Sequence, residues 1–360
     1  MSVSRSAQVN AHTHLYSGLA PLGMPPPART PASFVEILEL VWWKLDRALD
    51  EATLRASARL YLAEALLAGT TTLFDHHESP AFIDGSLDVL AEEAELLGAR
   101  LFVTYGATER NGGRDEAKRG LAECARFVRA NRFPHVKGLV GLHASFTVSD
   151  ETLREAGALA QELSVPLHVH VAEAQSDMED ARRRGYESPL ERLIDTRCLP
   201  PRSILAHGVW LDKGSVERAD AMGAWLVQNP RSNANNNVGY PKALGASGHV
   251  ALGTDGFPAN MDDEASALEE AMSQRGGPAS RAKPPLMGRV NGSLAMAELF
   301  DPSVTEDVVE GEPGKPPTSV VVAGRKVVEN GRLVTADIRD IRGFAAEQAK
   351  RLWSRMGAIK

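Results

Sequence analysis

Apolar and polar residues follow one another along this chain in two rhythms. Eight short runs are continuously apolar or repeat with period two, as strands do: AQVNAHTHLY, TTTLFDHH, RLFVTYGA, VKGLVGLHASF, PLHVHVAE, SILAHGVW, GAWLVQNP and HVALGTDG. Between them lie stretches such as DEATLRASARLYLAEALLAG and SDETLREAGALAQEL, whose apolar residues fall three and four apart on one helical face. Ser149 and Asp150 offer an N-cap, and Gly69 a C-terminal stop. Strands alternating with helices predict an α/β fold, a (β/α)8 TIM-like barrel over residues 8–300, with an open doubly wound sheet as the alternative.

Two regions break the rhythm. YSGLAPLGMPPPARTPASFVEILELVWWKLDRALD is a long first strand-to-helix connection, Pro-rich and then aromatic, and connections of this kind shape the mouth of a barrel. After Asp263, SQRGGPASRAKPPLMGRVNG and VEGEPGKPPTS read as loops. SVVVAGRKVVENGRLV reads as a hairpin turning at Asn330 and Gly331, inside a C-terminal extension, 301–360, that closes with a helix.

Composition narrows the function. Hydrophobic residues make up 43% of the 360 and charged residues 24%, the proportions of a soluble domain with a large core. A net charge of −7 argues against a nucleic-acid partner, which needs a clustered positive surface, and favours a small-molecule substrate. Cys124 and Cys198 alone make no disulfide framework, so a reducing cytoplasm is the expected compartment. The first residues contain no apolar leader core, and no segment approaches the ~18 apolar residues of a membrane span. A homo-oligomer is compatible with all of this.

The chemistry gathers at the strand ends. His12 and His14 end the first strand, His143 the fourth, His168 and His170 the fifth, His207 the sixth, and Asp255 the eighth. In a parallel barrel every strand opens its C-terminal end onto the same face, so these distant residues converge there. His168 and His170 point the same way by strand alternation, and Glu173 lies just past the strand. Imidazoles and carboxylates are ligands for zinc, divalent iron or manganese. From the residues alone, hydrogen-bonded core histidines remain the other reading.

With NAHTHLY, HVHVAE, ILAHGVW, NPRSNANNNVG and LGTDG in this order, the chain resembles the amidohydrolase superfamily, in its cytosine-deaminase-like branch of metal-dependent aminohydrolases. ILELVWWKLDRALD and FDHHESP make it most similar to the SsnA-like aminohydrolases. The resemblance implies that His12, His14, His170 and Asp255 hold one divalent ion, zinc or iron, since His143 stands where binuclear members carry a lysine. It implies that His207 contacts the attacking water or the substrate, that Asp255 takes a proton from that water, and that Glu173 carries protons to a ring nitrogen. His168 is then a core or supporting histidine.

The implied reaction is hydrolytic deamination of an amino-substituted N-heterocycle such as a purine, pterin or pyrimidine. An amide-ring or chloro-triazine hydrolase would use the same ion and water. A catalytically silent barrel serving as a binding subunit is the rival from another class. Candidate substrate contacts are His143, Arg110, Asn233 and Trp43; adjacent helical residues face about 100° apart, so of Trp42 and Trp43 one can cover a flat ring while the other packs in the core, with core packing of both the favoured reading. Arg114, Asn235 and Asn236 are weaker candidates. Relatives of this branch place several dozen residues before the first barrel strand, as half of a small β-sandwich. Here that strand begins within ten residues of Met1, so a reduced or incomplete sandwich is expected, with the hairpin at 319–335 lacking partners.

Overall fold

The computed structural model describes residues 3–274, 279–312 and 314–359. The described strands are β1 (Val3–Ser6), β2 (Gln8–Thr13), β3 (Thr70–His77), β4 (Arg100–Ala107), β5 (Val136–Gly138), β6 (Val140–Ala144), β7 (Leu167–Val171), β8 (Ile204–His207), β9 (Trp225–Gln228), β10 (Val250–Leu252), β11 (Val308–Gly311), β12 (Ser319–Val322), β13 (Arg325–Glu329) and β14 (Arg332–Leu333). β2, β3, β4, β6, β7, β8, β9 and β10 pair in that order and all in parallel, with β5 a spur on β4. A bridge between Thr13 and Asp255 brings the last strand back to the first. There the N–H groups of Thr254 and Asp255 donate to the His12 carbonyl oxygen at 2.9 and 3.0 Å. First-to-last contact makes this a nearly closed (β/α)8 barrel rather than an open doubly wound sheet.

The seam depends on a glycine. A Cβ on Gly253 would lie 2.8 Å from the His12 carbonyl oxygen and 2.6 Å from Asn229 Oδ1, so a side chain there would push the first and last strands apart. Elsewhere β3, β4, β6, β7, β8, β9 and β10 are buried along their whole length, with helices outside and packed side chains within. The helix Glu51–Ala68 starts on a reciprocal Asp50–Thr53 capping box and stops at Gly69, whose φ of 89° needs no Cβ. Ser149 caps Asp150–Leu163, as its sequence position predicts.

The C-terminal region differs from expectation. The segment expected as loop after Asp263 contains a helix, Ala279–Phe300, while 275–278 lie outside the described residues. Leu294, Met296, Ala297 and Phe300 pack with Phe74, Phe102 and Trp225 at the lower end of the barrel, an apolar face that the Gly- and Pro-rich composition masks. VEGEPGKPPTS likewise begins within a strand, β11.

The expected lone hairpin is part of a five-stranded antiparallel sheet in the order β1-β11-β12-β13-β14. It holds two tight turns: Ala323 and Gly324 as well as Asn330 and Gly331, all with positive φ. Its partners were hidden because β1 is wholly exposed and carries no core signature. Asp307 anchors the sheet to the barrel, accepting from Arg100 Nη2, Thr71 Oγ1 and Ala323 N, each at 2.9 Å. The last helix, Ile338–Ala358, lies along Glu51–Ala68, with Arg342 bonded to Glu64. No described helix is long and apolar enough to cross a membrane.

Candidate active site and metal centre

The strand ends deliver their histidines to one buried cluster. Ligand atoms of His12, His14, His170 and Asp255 all lie within 4.8 Å of one another. His14 Nε2 is 2.8 Å from Asp255 Oδ1 and 3.3 Å from His170 Nε2, and His12 Nε2 is 3.4 Å from Asp255 Oδ1. Each imidazole is oriented through its other nitrogen. His14 Nδ1 donates to the His76 carbonyl oxygen at 2.5 Å, and His170 Nδ1 to that of His143 at 2.6 Å. His12 Nδ1 meets His168 Nε2 at 2.9 Å, so His168 supports a member of the cluster.

The donor set fits a divalent ion. A carbonyl oxygen can only accept, so Nδ1 of His14 and of His170 carries the proton and each Nε2 presents a lone pair. Two lone pairs facing each other at 3.3 Å repel unless positive charge lies with them. Bonds of ~2.1 Å at tetrahedral angles place donor atoms ~3.4 Å apart, close to the separations here. Protonation answers the same demand: burial opposes charge on His14, yet contact with Asp255 outweighs it and pulls His14 up to about 9. Burial keeps His12 down at about 3, and its Nε2 has no hydrogen-bond partner.

A second group stands beside the cluster. His207 Nδ1 donates to Asn233 Oδ1 at 2.9 Å, leaving Nε2 unpartnered and 3.5 Å from Glu173 Oε2. Asn236 Nδ2 lies 3.4 Å from Glu173 Oε1, and Glu173 N–H donates to Asp177 Oδ2 at 2.9 Å. Burial, followed by the charges of Asp255 and Asp177, raises the Glu173 carboxyl well above the usual range, which favours its protonated form. Ser232 Oγ donates to Asp255 Oδ2 in a short bond. His207 and Asp255 carry left-handed φ angles of 76° and 53°, backbone strain set at the point where both side chains are aimed.

Above these groups lies a cavity of about 580 Å³, its open mouth included. Phe34, Leu38, Trp42 and Trp43 form one wall, from the long connection expected at the mouth. Both tryptophans border it, where alternation on a regular helix would have turned one away; Leu38–Trp42 is a π-helical turn, which rotates less per residue. His143 also borders the cavity. Asn233 does not; it holds His207. Arg110 is likewise behind the wall, its Nη2 bonded to Asp46 at 2.8 Å and Glu78 at 2.9 Å. Arg114 bonds Thr152 and Glu155, and Asn235 bonds Asn236.

Sequence reasoning passed over His76, Glu78, Ser232 and Asp46. The first two lie in FDHHESP at the end of β3, where the rule that found the other histidines applies equally. Ser232 and Asp46 had no such signal, because both sit on short helices, Pro230–Asn235 and Trp43–Ala48, rather than at strand ends.

A parallel barrel with three imidazoles, one carboxylate and a second buried acid at its C-terminal mouth is the arrangement of a metal-dependent hydrolase. The chain belongs to the amidohydrolase family, whose model matches residues 7–327. It is 29% identical over 96% of its length to 5'-deoxyadenosine deaminase of Methanopyrus kandleri, covering 86% of that protein. It is 28% identical over 70% of its length to 5-methylthioadenosine/S-adenosylhomocysteine deaminase of Thermococcus sibiricus, an alignment that spans 58% of that relative. Among solved structures, an adenosine deaminase from Xanthomonas campestris with bound zinc shares the fold, with TM-score 0.84 and 20% identity over 98% of this chain and 86% of that one.

Proposed function

We propose that this chain is a metal-dependent hydrolytic deaminase of an amino-substituted N-heterocycle. The observation that carries the reading is the place of Glu173: a buried carboxyl outside the four-residue cluster, 3.5 Å from His207 and on the wall of an aromatic-sided cavity, where burial favours its protonated form. The two curated relatives are named as deaminases of adenosine derivatives, so a purine is the first ring to test.

His12, His14, His170 and Asp255 would hold one ion, zinc in our reading and iron as the alternative. When bound, such an ion polarises water and stabilises developing negative charge. The chain supplies the rest. Asp255, its second oxygen fixed by Ser232, accepts a proton from the attacking water. Glu173 delivers its proton to the ring nitrogen beside the attacked carbon; Asp255 then passes the proton it took from water to the departing amine, and the proton of the added hydroxyl returns to Glu173. His207, locked by Asn233 with Nε2 toward the cavity, binds the oxygen being added. Water adds across the ring C=N bond, the exocyclic C–N bond breaks, and ammonia leaves with the ring carbonyl as the other product. Trp42 and Trp43 provide flat faces for the heterocycle.

The test is a library of aminopurines, aminopterins, aminopyrimidines and chloro-triazines, offered to metal-replete protein with ammonia and chloride both monitored. Ammonia release from an amino-heterocycle is the expected result. Chloride release alone, or no turnover at full metal loading, would overturn the reading.

A further inference from the structure

Arg110 lies behind the wall of the cavity with its side chain only 5% exposed, where a cation is costly to bury. Its guanidinium joins three elements. Nε donates to Thr108 Oγ1 at 3.1 Å, just past β4, and Nη2 to Glu78 Oε2 at 2.9 Å, just past β3. The same Nη2 donates to Asp46 Oδ2 at 2.8 Å, on the helix Trp43–Ala48. Three residues earlier on that helix, and so on the same side of it, stands Trp43, whose ring the guanidinium covers at 4.7 Å. Trp43 borders the cavity, and its ring meets that of His143 edge-on at 6.1 Å.

This arrangement is a poor source of stability. Two buried carboxylates share one guanidinium, and Arg110 Nη1 and Asp46 Oδ1 are left without hydrogen-bond partners. Apolar side chains of similar volume usually serve a core as well as such a group or better. What the group does well is fix a direction: a planar guanidinium bonded at its edges and stacked on its face narrows where the indole can lie. The turn that leads into the helix, Leu38–Trp42, is π-helical, a less regular support than an α-helical turn. At the far end Arg355 Nε donates to the Ala48 carbonyl oxygen at 2.6 Å. Arg110 ties the Trp43 end to the barrel as Arg355 ties the other end to the last helix.

We infer that Arg110 is a positioning residue for substrate binding: through Asp46 and the stacked ring it fixes Trp43 as the face against which the heterocycle lies. The inference rests on the deaminase reading and adds to it the residue that holds the aromatic wall. A well-placed aromatic pair is worth about two- to tenfold in affinity beyond its buried area, and a ring free to turn loses that gain. The chemistry is left to the ion-holding cluster, Glu173 and His207, so the effect falls on KM rather than kcat.

Two variants cut the tie. Asp46→Ala leaves Arg110 paired one to one with Glu78 and puts a good helix former on the helix; Arg110→Lys keeps the charge without the plane. In metal-replete protein labelled with 5-fluorotryptophan, the Trp43 fluorine signal, assigned by its absence from Trp43→Phe, should be single and sharp in wild type and should shift or broaden in both variants. With adenosine as the probe, both variants should raise KM about two- to tenfold and leave kcat within a few-fold. The effect of Asp46→Ala on KM should vanish in the Trp43→Leu background, whereas general loosening of the fold would add to it. An unchanged Trp43 signal, a fall in kcat at constant KM, or additive effects in the double variant would overturn the inference. So would failure of adenosine to bind wild-type protein by calorimetry or to turn over, while the deaminase reading would still be decided by the wider ammonia screen. The fluorine signal is read without substrate and on two variants, so a misfolded Arg110→Lys leaves the test standing.

Discussion

Between His170 and Glu173 the backbone passes through Ala172 at a φ of 50°, and this kink turns the acid back over the cluster its own strand supplies. Glu173 therefore separates from the ion-holding residues by mutation. Glu173→Gln keeps size and the contact with Asn236 but cannot carry a proton; it should retain metal and lose activity by ~10² to 10⁴. Loss of metal in that variant, read by elemental analysis, would make Glu173 part of the ion site. His168 offers a complementary experiment. The only hydrogen-bonded partner of its ring among the described residues is His12, and supports of this kind are worth about 10- to 100-fold in metal affinity. His168→Leu should weaken metal binding by that factor in a competition titration, against near-complete loss for His12→Ala. These residues were open to sequence reasoning because strand ends converge. Asn233 was misplaced because a side chain that orients a histidine and one that binds substrate look alike in sequence.

β3 is an element whose interior is polar at unusual depth. Asp75 is fully buried within it; Oδ1 accepts the Leu15 N–H at 2.6 Å and Oδ2 has no partner. Burial pushes its carboxyl up to about 7, so the folded chain keeps a proton that the unfolded chain releases near pH 4. The resulting stability is complete below about pH 4 and is lost as pH rises through about 7. Asp75→Asn keeps the acceptor for Leu15 without a titrating group. Its stability relative to wild type should therefore rise between pH 4 and 8, measured by urea unfolding of both proteins at each pH. A flat difference would place the charge elsewhere. Strand-and-helix alternation was legible because each barrel element buries one face against a common core. The C-terminal elements were not, since β1 is exposed along its length and short sheet strands announce themselves only through partners about 300 residues away.

At the scale of the molecule, eightfold alternation specified the barrel, and closure needed what alternation does not encode: the missing side chain of Gly253 and the bonds around Asp255. Those bonds join the chain across 242 residues of sequence, from Thr13 to Asp255. An ion held by His12, His14, His170 and Asp255 would therefore fasten β2, β7 and β10 together, behaving as a removable cross-link through the barrel's seam. Ligands that bind only the folded state add RT ln(1 + [L]/Kd), about 4 kcal/mol at a thousandfold excess over Kd. Stripping the metal with a chelator should lower the melting temperature by several degrees, and readdition should restore it. Amide exchange should quicken first at Thr254 and Asp255, whose N–H groups close the seam. A barrel built this way has a weakest stave. In a cell short of metal, the first event would be a parting of the first and last strands, exposing the buried edges of β2 and β10 to proteases and to other chains before the rest of the fold gives way.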